Sequence, residues 1–418
     1  MLKRLRGMSE FTRNVLKVFS GSMLVNIFSF ATLPLITYLY DPETYGLYSL
    51  ILASFSIFNG MSSLRYDTAI VVMGNNRLSN YMSMLSFVVL ILFTALLTFF
   101  LGIGSEAYMG WMNASEVLPY VWLIPVFVIF TGYRLILNGM ASVARHFTLL
   151  TVAGIVMAVI MRAFALLFGL FSPTFFSLCL AHILAFVVVL VYMSTKHRLD
   201  FHYFQPRRLL VLAKKNWKYP VYETSSAFVN SLALWLPVFM LSGYFGPAIV
   251  GLFNMADRLL DRPFRMLANA LGSVYFPTAS QVMLDGKAKR LLGLYKQILF
   301  RLVMLFLPLF LAVYLVSPWL EGFLGEKWAG AGLVIQILVV IRFFHTLNTP
   351  FAKTFVILGR QELGFVLGLI SLVMRFAAMW LFRETYTSML WAFSISGALY
   401  YAANNFIIYL LIRMKARE

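Results

Sequence analysis

Five charged residues crowd a stretch that is otherwise apolar. Residues 246–277 read GPAIVGLFNMADRLLDRPFRMLANALGSVYFP and carry Asp257, Arg258, Asp261, Arg262 and Arg265. Each charge at the centre of a spanning helix costs about 2.5–3.5 kcal/mol on insertion scales, so these side chains must face protein or water. Arg258, Arg262 and Arg265 fall at i, i+4 and i+7 and share one stripe. Asp261 lies four residues before Arg265, the spacing of a helical ion pair. Pro263 predicts a bend among them. A row of guanidiniums suits an anion, because each planar fork binds two oxygens and stays charged. Two readings stand: the stripe lines a polar cavity and binds an anionic ligand, or acids and arginines pair with one another and lock the bend.

The elements that must position these residues are membrane helices. The chain has 418 residues, of which 61% are hydrophobic and 12% charged, with a mean hydropathy of +0.83. Apolar runs of about 20 residues or more define an all-α polytopic membrane protein. Twelve spans are expected, at about 15–40, 45–73, 82–104, 117–140, 149–170, 174–195, 219–244, 248–279, 297–319, 331–357, 363–382 and 388–412. Turn sequences separate them: DPET at 41–44, GNNR at 74–77, FSPT at 171–174, FGP at 245–247 and GRQE at 359–362.

Loop charge sets the orientation. The formal charge is +18, and most Lys and Arg fall in alternate short loops, an orientation signal rather than a nucleic-acid patch. The N-terminal segment gives Lys3, Arg4, Arg6, Arg13 and Lys17. The 196–218 connection adds Lys196, Arg198, Arg207, Arg208, Lys214, Lys215 and Lys218. The 280–301 loop adds Lys287, Lys289, Arg290, Lys296 and Arg301, and the tail adds Arg413, Lys415 and Arg417. The opposite loops hold only Lys327 and Arg383 among Asp41, Glu43, Glu106, Glu116, Glu321, Glu326 and Glu384. Both termini are therefore expected in the cytoplasm. Trp111, Trp122, Trp319, Trp328 and Trp391 are expected in the outer aromatic belt. The apolar run after Lys17 is too long for a signal segment and is expected to stay as the first span. The one cysteine, Cys179, excludes an internal disulfide, and no Walker A pattern supports ATP hydrolysis.

A repeat divides the chain. YDPETYGLY at 40–48 matches FGPAIVGLF at 245–253 in aromatic, Pro, Gly-Leu and aromatic positions, and Leu24-Val25-Asn26 echoes Phe228-Val229-Asn230. The expected organisation is an N-terminal six-helix lobe (1–195), a basic connection (196–218) and a C-terminal six-helix lobe (219–418). The two are parallel repeats with a substrate cavity between them.

At these residues the sequence resembles a known family. SGSMLVNIFSFATLPLITYLYDPETYGLYSL, LRYDTAIVV and YFGPAIVGLFNMADRLLDRPFRMLANALGSVYFPTASQ are similar to the polysaccharide-transport, Wzx-type flippase branch of the multidrug/oligosaccharidyl-lipid/polysaccharide (MOP) exporter superfamily. The resemblance implies a V-shaped two-lobed transporter in the bacterial inner membrane. It implies a flippase, not an enzyme, that moves undecaprenyl-pyrophosphate-linked oligosaccharide, such as an O-antigen or exopolysaccharide repeat unit, from the cytoplasmic to the periplasmic leaflet. Ion-coupled antiport and partnership with membrane lipid and glycan-assembly enzymes belong to the same implication; no cofactor does. The two extra C-terminal spans of lipid II flippases are lacking, which argues against that branch.

Such a substrate needs cations for pyrophosphate and hydrogen-bonding groups for sugar. Arg258, Arg262, Arg265, Arg162, Arg342 and Arg375 are the candidate cavity cations. Asn26, Asn59, Asn230 and Asn254 are candidate sugar contacts or interhelical glue. Arg65 and Asp67 form an ion pair or an inner gate. Glu223 carries a coupling proton or caps its helix, the cap being preferred, and Asp67, Asp257 and Asp261 are the other candidate ion carriers. His182 and His345 are expected to be packed rather than ligating. Three rival classes remain. One is a lipid II or other lipid-precursor flippase of the same superfamily, separated by substrate only. A multidrug exporter would favour an acidic cavity for cationic drugs. A membrane-embedded polysaccharide polymerase or ligase would need a large external loop, and the one at about 105–116 has no His or Arg.

Overall fold

Proline and glycine set where the helices begin. The computed structural model describes residue 28, residues 31–73 and residues 75–417. In the DPET turn Asp41 accepts from the Thr44 amide (2.8 Å) and Pro42 takes the first helical position, where its missing N–H is no loss. In the FGP turn Gly246 adopts φ +83°, open to glycine without strain, and Pro247 starts the next helix. The two halves of the sequence repeat thus serve the same local purpose.

The helices in chain order are α1 Leu33–Leu39, α2 Pro42–Asn59, α3 Tyr66–Val72, α4 Asn76–Trp111, α5 Leu123–Val143, α6 Phe147–Phe171, α7 Phe175–Ser194 and α8 Pro206–Lys215. Then come α9 Thr224–Phe245, α10 Pro247–Leu284, α11 Ala288–Leu324, α12 Ala331–Asn348, α13 Thr354–Ile357, α14 Gln361–Leu381 and α15 Tyr386–Lys415. Among the described residues there is no strand, and nine helices are long and apolar enough to cross a membrane. The other expected spans fall short of that measure for separate reasons. The first lies largely outside the described residues. The second is broken, and the eighth, α10, carries the charge cluster. α4 has 36 residues, or about 54 Å at 1.5 Å per residue, against about 30 Å of hydrocarbon. Its apolar run ends well before its helix does, so the external loop expected at 105–116 is mostly helical.

The break in span 2 was not visible in its continuous hydropathy. From Asn59 to Tyr66 the helical ladder gives way to turns, with Leu64 (φ +46°) and Arg65 (φ +58°) in consecutive left-handed positions. Ser62 donates to the Asn59 carbonyl (3.0 Å) and Ser63 to the Asp67 carboxylate, local bonds that compete with helix.

By packing, the chain forms two compact units, residues 1–248 and 249–418. In the first, α6 packs along α7, α4 along α5, and α2 against α5 and α9. Cys179 on α7 is fully buried. His182 bonds the Tyr48 hydroxyl through Nδ1 (2.9 Å) and stacks on Phe186, a packed histidine as expected. The basic connection is more than a tether. It folds as α8, whose Arg208 bonds the Tyr81 hydroxyl (2.6 Å) and whose Ala213 carbonyl accepts from Tyr66.

A histidine pair joins the start of α6 to the segment after α7: His146 Nδ1 lies 3.0 Å from His197 Nε2. One ring donates and the other must accept, so both cannot be protonated. Burial, and then the charge of His146, lower the His197 pKa. A histidine held neutral by folding stabilises fully above its unfolded value of about 6.5, and that contribution is lost as pH falls through the lowered folded value. Amide exchange around 145–150 and 194–198 should therefore accelerate at pH 5 relative to pH 7.5. The His197→Ala variant should lose that pH dependence; an equal response in the variant would dismiss the pair as its cause.

In the second unit α12 packs between α11 and α15, and α14 packs on α15. Phe264 of α10 stacks on Phe310 of α11 at 4.1 Å. Trp328 is not in an outer belt but fully buried, whereas Trp111, Trp122 and Trp319 are exposed. Glu321 has a role that its place in the sequence did not announce. Its Oε1 accepts from the Gly330 and Gly332 amides (3.1 Å each) and so caps the start of α12. Glu321→Ala should destabilise by about 1 kcal/mol, typical of a lost cap. A melting temperature equal to wild type would show that other groups satisfy those amides.

Candidate functional site

Asp257 and Asp261 lie one turn apart on α10, and like charges at that spacing repel. α12 brings Arg342 between them. Its Nε donates to Asp257 Oδ1 (2.8 Å) and its Nη1 to Asp261 Oδ1 (3.0 Å), while Nη2 also pairs with Asp257. Asp261 Oδ2 meets Arg265 Nε at 3.2 Å. The Arg342, Asp257 and Asp261 side chains are 20%, 23% and 14% exposed; Arg265 is more than half exposed. Two carboxylates are thus held by two guanidiniums, most tightly by the one that reaches across from a different helix.

Beside this clasp lies a third cation in a different setting. Arg375 of α14 is 7% exposed, and its Cζ sits 5.2–5.6 Å from the ring centroids of Phe393, Tyr400 and Tyr401 of α15. Its Nε and Nη2 are buried without a hydrogen-bond partner, as is Asn404 Oδ1. The ring faces offset part of that isolation. His345 of α12 links the two groups, its ring 5.0 Å from that of Tyr401. Polar side chains continue below: Asn404 donates to the Tyr400 hydroxyl (3.4 Å), Asn348 to Asn405 Oδ1 (3.3 Å), and Tyr295 to the Asn405 carbonyl (2.9 Å). Ser394 accepts from the Ile341 amide and donates to the Ile337 carbonyl, joining α12 to α15. Gly397 lets this contact close, since a Cβ there would press into Ile341 and come 3.4 Å from Arg375 Nε.

The structure brings together Asp257, Asp261, Arg265 and Arg342, with Arg375 nearby in the same unit. Arg258 and Arg262 are half-buried on α10. Arg162 is buried on α6 in the first unit. The helix runs through Pro263 and Pro277 without interruption. Several expectations are corrected. Asp67 takes its hydrogen bond from Ser63; among the described residues it makes no ion pair with Arg65, whose left-handed backbone turns it away from the regular helical direction. Glu223 does not cap α9, because a π turn, Tyr219–Glu223, runs straight into it and the Glu223 side chain makes no cap bond. Asn254 is buried and donates one amide hydrogen to the Val250 carbonyl one turn back (3.1 Å). Asn59 ends α2 beside Ser62, and Asn230 is exposed. Asn26 lies outside the described residues.

The sequence reading missed Asn348, Asn404, Asn405 and the Tyr400-Tyr401 pair. The signal was present as YYAANNF within an apolar span, where adjacent asparagines are as unusual as a charge. Among the described residues no cluster of three or more His, Cys, Asp or Glu is placed to hold a metal ion.

Long apolar helices and an internal ion cluster define a polytopic helical membrane protein. The chain resembles a multidrug resistance MATE family transporter of the MOP superfamily in its inward-facing conformation, with a TM-score of 0.76 and 13% identity over 96% of this chain and 99% of that one. It also resembles the lipid II flippase MurJ in an inward closed conformation, with a TM-score of 0.71 and 12% identity over 95% and 90%. At such identity these likenesses establish the fold. The chain belongs to the polysaccharide biosynthesis protein family, whose profile matches residues 35–332. It is 22% identical over 155 residues to the teichuronic acid biosynthesis protein TuaB of Bacillus subtilis (strain 168). That match takes in 36% of this chain and 31% of the relative, so the chain spans about a third of that protein's length.

Proposed function

We propose that the protein is a flippase for a lipid-linked oligosaccharide, carried as an undecaprenyl pyrophosphate and moved to the outer leaflet of a bacterial inner membrane by alternating access. The observation that carries this reading is the basic excess at membrane depth. Five guanidiniums (Arg258, Arg262, Arg265, Arg342 and Arg375) stand with two carboxylates (Asp257 and Asp261) in one unit. A cationic drug would meet repulsion there; a pyrophosphate would meet charge-assisted hydrogen bonds. Family membership and the flippase-like fold support the same direction.

In this proposal Arg258 and Arg262 bind the pyrophosphate, and Arg375 adds a buried cation behind them. Arg342 is the exchangeable group. An incoming anion competes with Asp257 and Asp261 for its guanidinium, and the released carboxylates become able to take up a proton or a sodium ion. That exchange is how substrate binding would be tied to ion antiport. The two six-helix halves, 1–195 and 219–418, are retained as the moving bodies, and cytoplasmic termini as the orientation.

The test is complementation of a strain lacking the gene with Arg258→Ala and Arg262→Ala variants. Loss of surface polysaccharide at normal protein level, with lipid-linked repeat units accumulating inside, is expected. Normal export by both variants would remove the stripe from the substrate path. Intact surface glycan after deletion of the gene would overturn the flippase reading, and drug efflux would be assayed next.

A further inference from the structure

Where the turn between α10 and α11 meets the last turn of α15, the second unit has a cavity of about 460 Å3. Lys287, Lys289, Arg290 and Lys415 line it, with Gly286, Ala288 and Ala416. Two segments more than a hundred residues apart in sequence thus converge four cations on one opening. Gly286 makes the turn possible with φ +70°.

The start of α11 is electrostatically unfavourable. α11 begins at the cavity and is 37 residues long, with no acid in its first turn and no side-chain cap from Lys287. Its positive pole therefore faces Lys287, Lys289 and Arg290, the reverse of the arrangement that stabilises a helix start. The acid on the turn, Asp285, is shared between Lys287 (3.6 Å) and Gln281 (2.9 Å). Among the described residues neither Lys289 nor Arg290 pairs with a carboxylate. An anion in the cavity would answer both the side-chain charges and the helix pole.

The flanks indicate where that anion comes from. Leu284 is 82% exposed just before the turn, and Met414 is 62% exposed beside Lys415. Further along α11 the exposed apolar side chains Phe300 and Met304 stand beside exposed Lys296 and Arg301. A cationic cavity edged by exposed apolar side chains, at the end of membrane helices, matches a molecule with a phosphate head and an acyl body.

We propose that this cavity binds the phosphate headgroup of an anionic phospholipid, with the acyl chains against Leu284 and Met414. It is independent of the transported glycan, because it shares no residue with the Arg342 cluster.

The full-length protein would be tested by native mass spectrometry from mixed micelles containing phosphatidylglycerol, cardiolipin or phosphatidylcholine. Wild type should retain the anionic lipids and not phosphatidylcholine. The triple variant Lys289→Gln, Arg290→Gln, Lys415→Gln should lose that retention about a hundredfold, given a several-fold factor per basic residue near an anionic lipid. Its melting temperature in phosphatidylcholine should match wild type, which separates loss of the site from loss of the fold. A milder pair, Lys289→Gln with Lys415→Gln, should fall in between. Retention unchanged in the triple variant overturns the proposal. Displacement of the lipid by inorganic phosphate at comparable concentration also overturns it, since the site would then belong to a soluble phosphate.

Discussion

Arg342→Ala should be among the most damaging single substitutions in the second unit, destabilising it by about 3–5 kcal/mol. The loss is not the strength of one salt bridge. Arg342 is the cation that lies between Asp257 and Asp261, and without it two mostly buried carboxylates one turn apart keep, among the ion pairs of the described residues, the half-exposed Arg265. Desolvation and mutual repulsion then act together. The expected readout is a large fall in melting temperature in detergent and a low steady-state level in membranes. Rescue makes the prediction specific. Asp257→Asn with Asp261→Asn removes the stranded charges, so the triple variant should recover most of the stability while export stays low. If Arg342→Ala melts with wild type, water reaches the carboxylates and the clasp is not what holds α10 to α12.

Arg375→Met should act in the opposite sense on stability and still abolish export. The guanidinium is 7% exposed with Nε and Nη2 unpartnered, a penalty of about 1–3 kcal/mol or more for a charged group, partly offset by three aromatic faces. Methionine fills similar space without a charge, so the variant should melt higher. Export should fall at least about tenfold, the factor expected when one charge-assisted bond worth about 1.5 kcal/mol or more is removed. Arg375→Lys should keep some activity, because it retains charge but not the planar fork. A variant that is both more stable and fully active would mark Arg375 as a residue of packing alone.

These two arginines also mark the limit of what was legible in the sequence. Span 8 announced itself, because Asp257, Arg258, Asp261, Arg262 and Arg265 are charges where hydrocarbon would be, and helical spacing gave the Asp261–Arg265 pair directly. The partner from span 10 was not legible as a partner. Arg342 is 81 residues from Asp261, and no local rule says which helices touch. Helix starts at DPET and FGP could be read because proline and capping chemistry act within four residues. The break at 59–66 could not, since hydropathy stayed high while serine hydroxyls and two left-handed residues displaced the helical ladder. The caps were not legible: the one expected at Glu223 is absent, and the one made by Glu321 was not expected. Whether an acid caps a helix depends on which amides come within reach, and for Glu321 they lie nine and eleven residues on.

The burial of Cys179 has a practical side. It is the only thiol in the sequence and it is shielded within α7, so maleimide and methanethiosulfonate reagents have no native target to reach. Pairs of cysteines introduced on exposed helix ends would then carry all of the spin or fluorescent label, without first emptying the core of its own sulfur. Distances between such pairs, followed as substrate and ions are added, would turn alternating access from a reading of charge into a recorded motion.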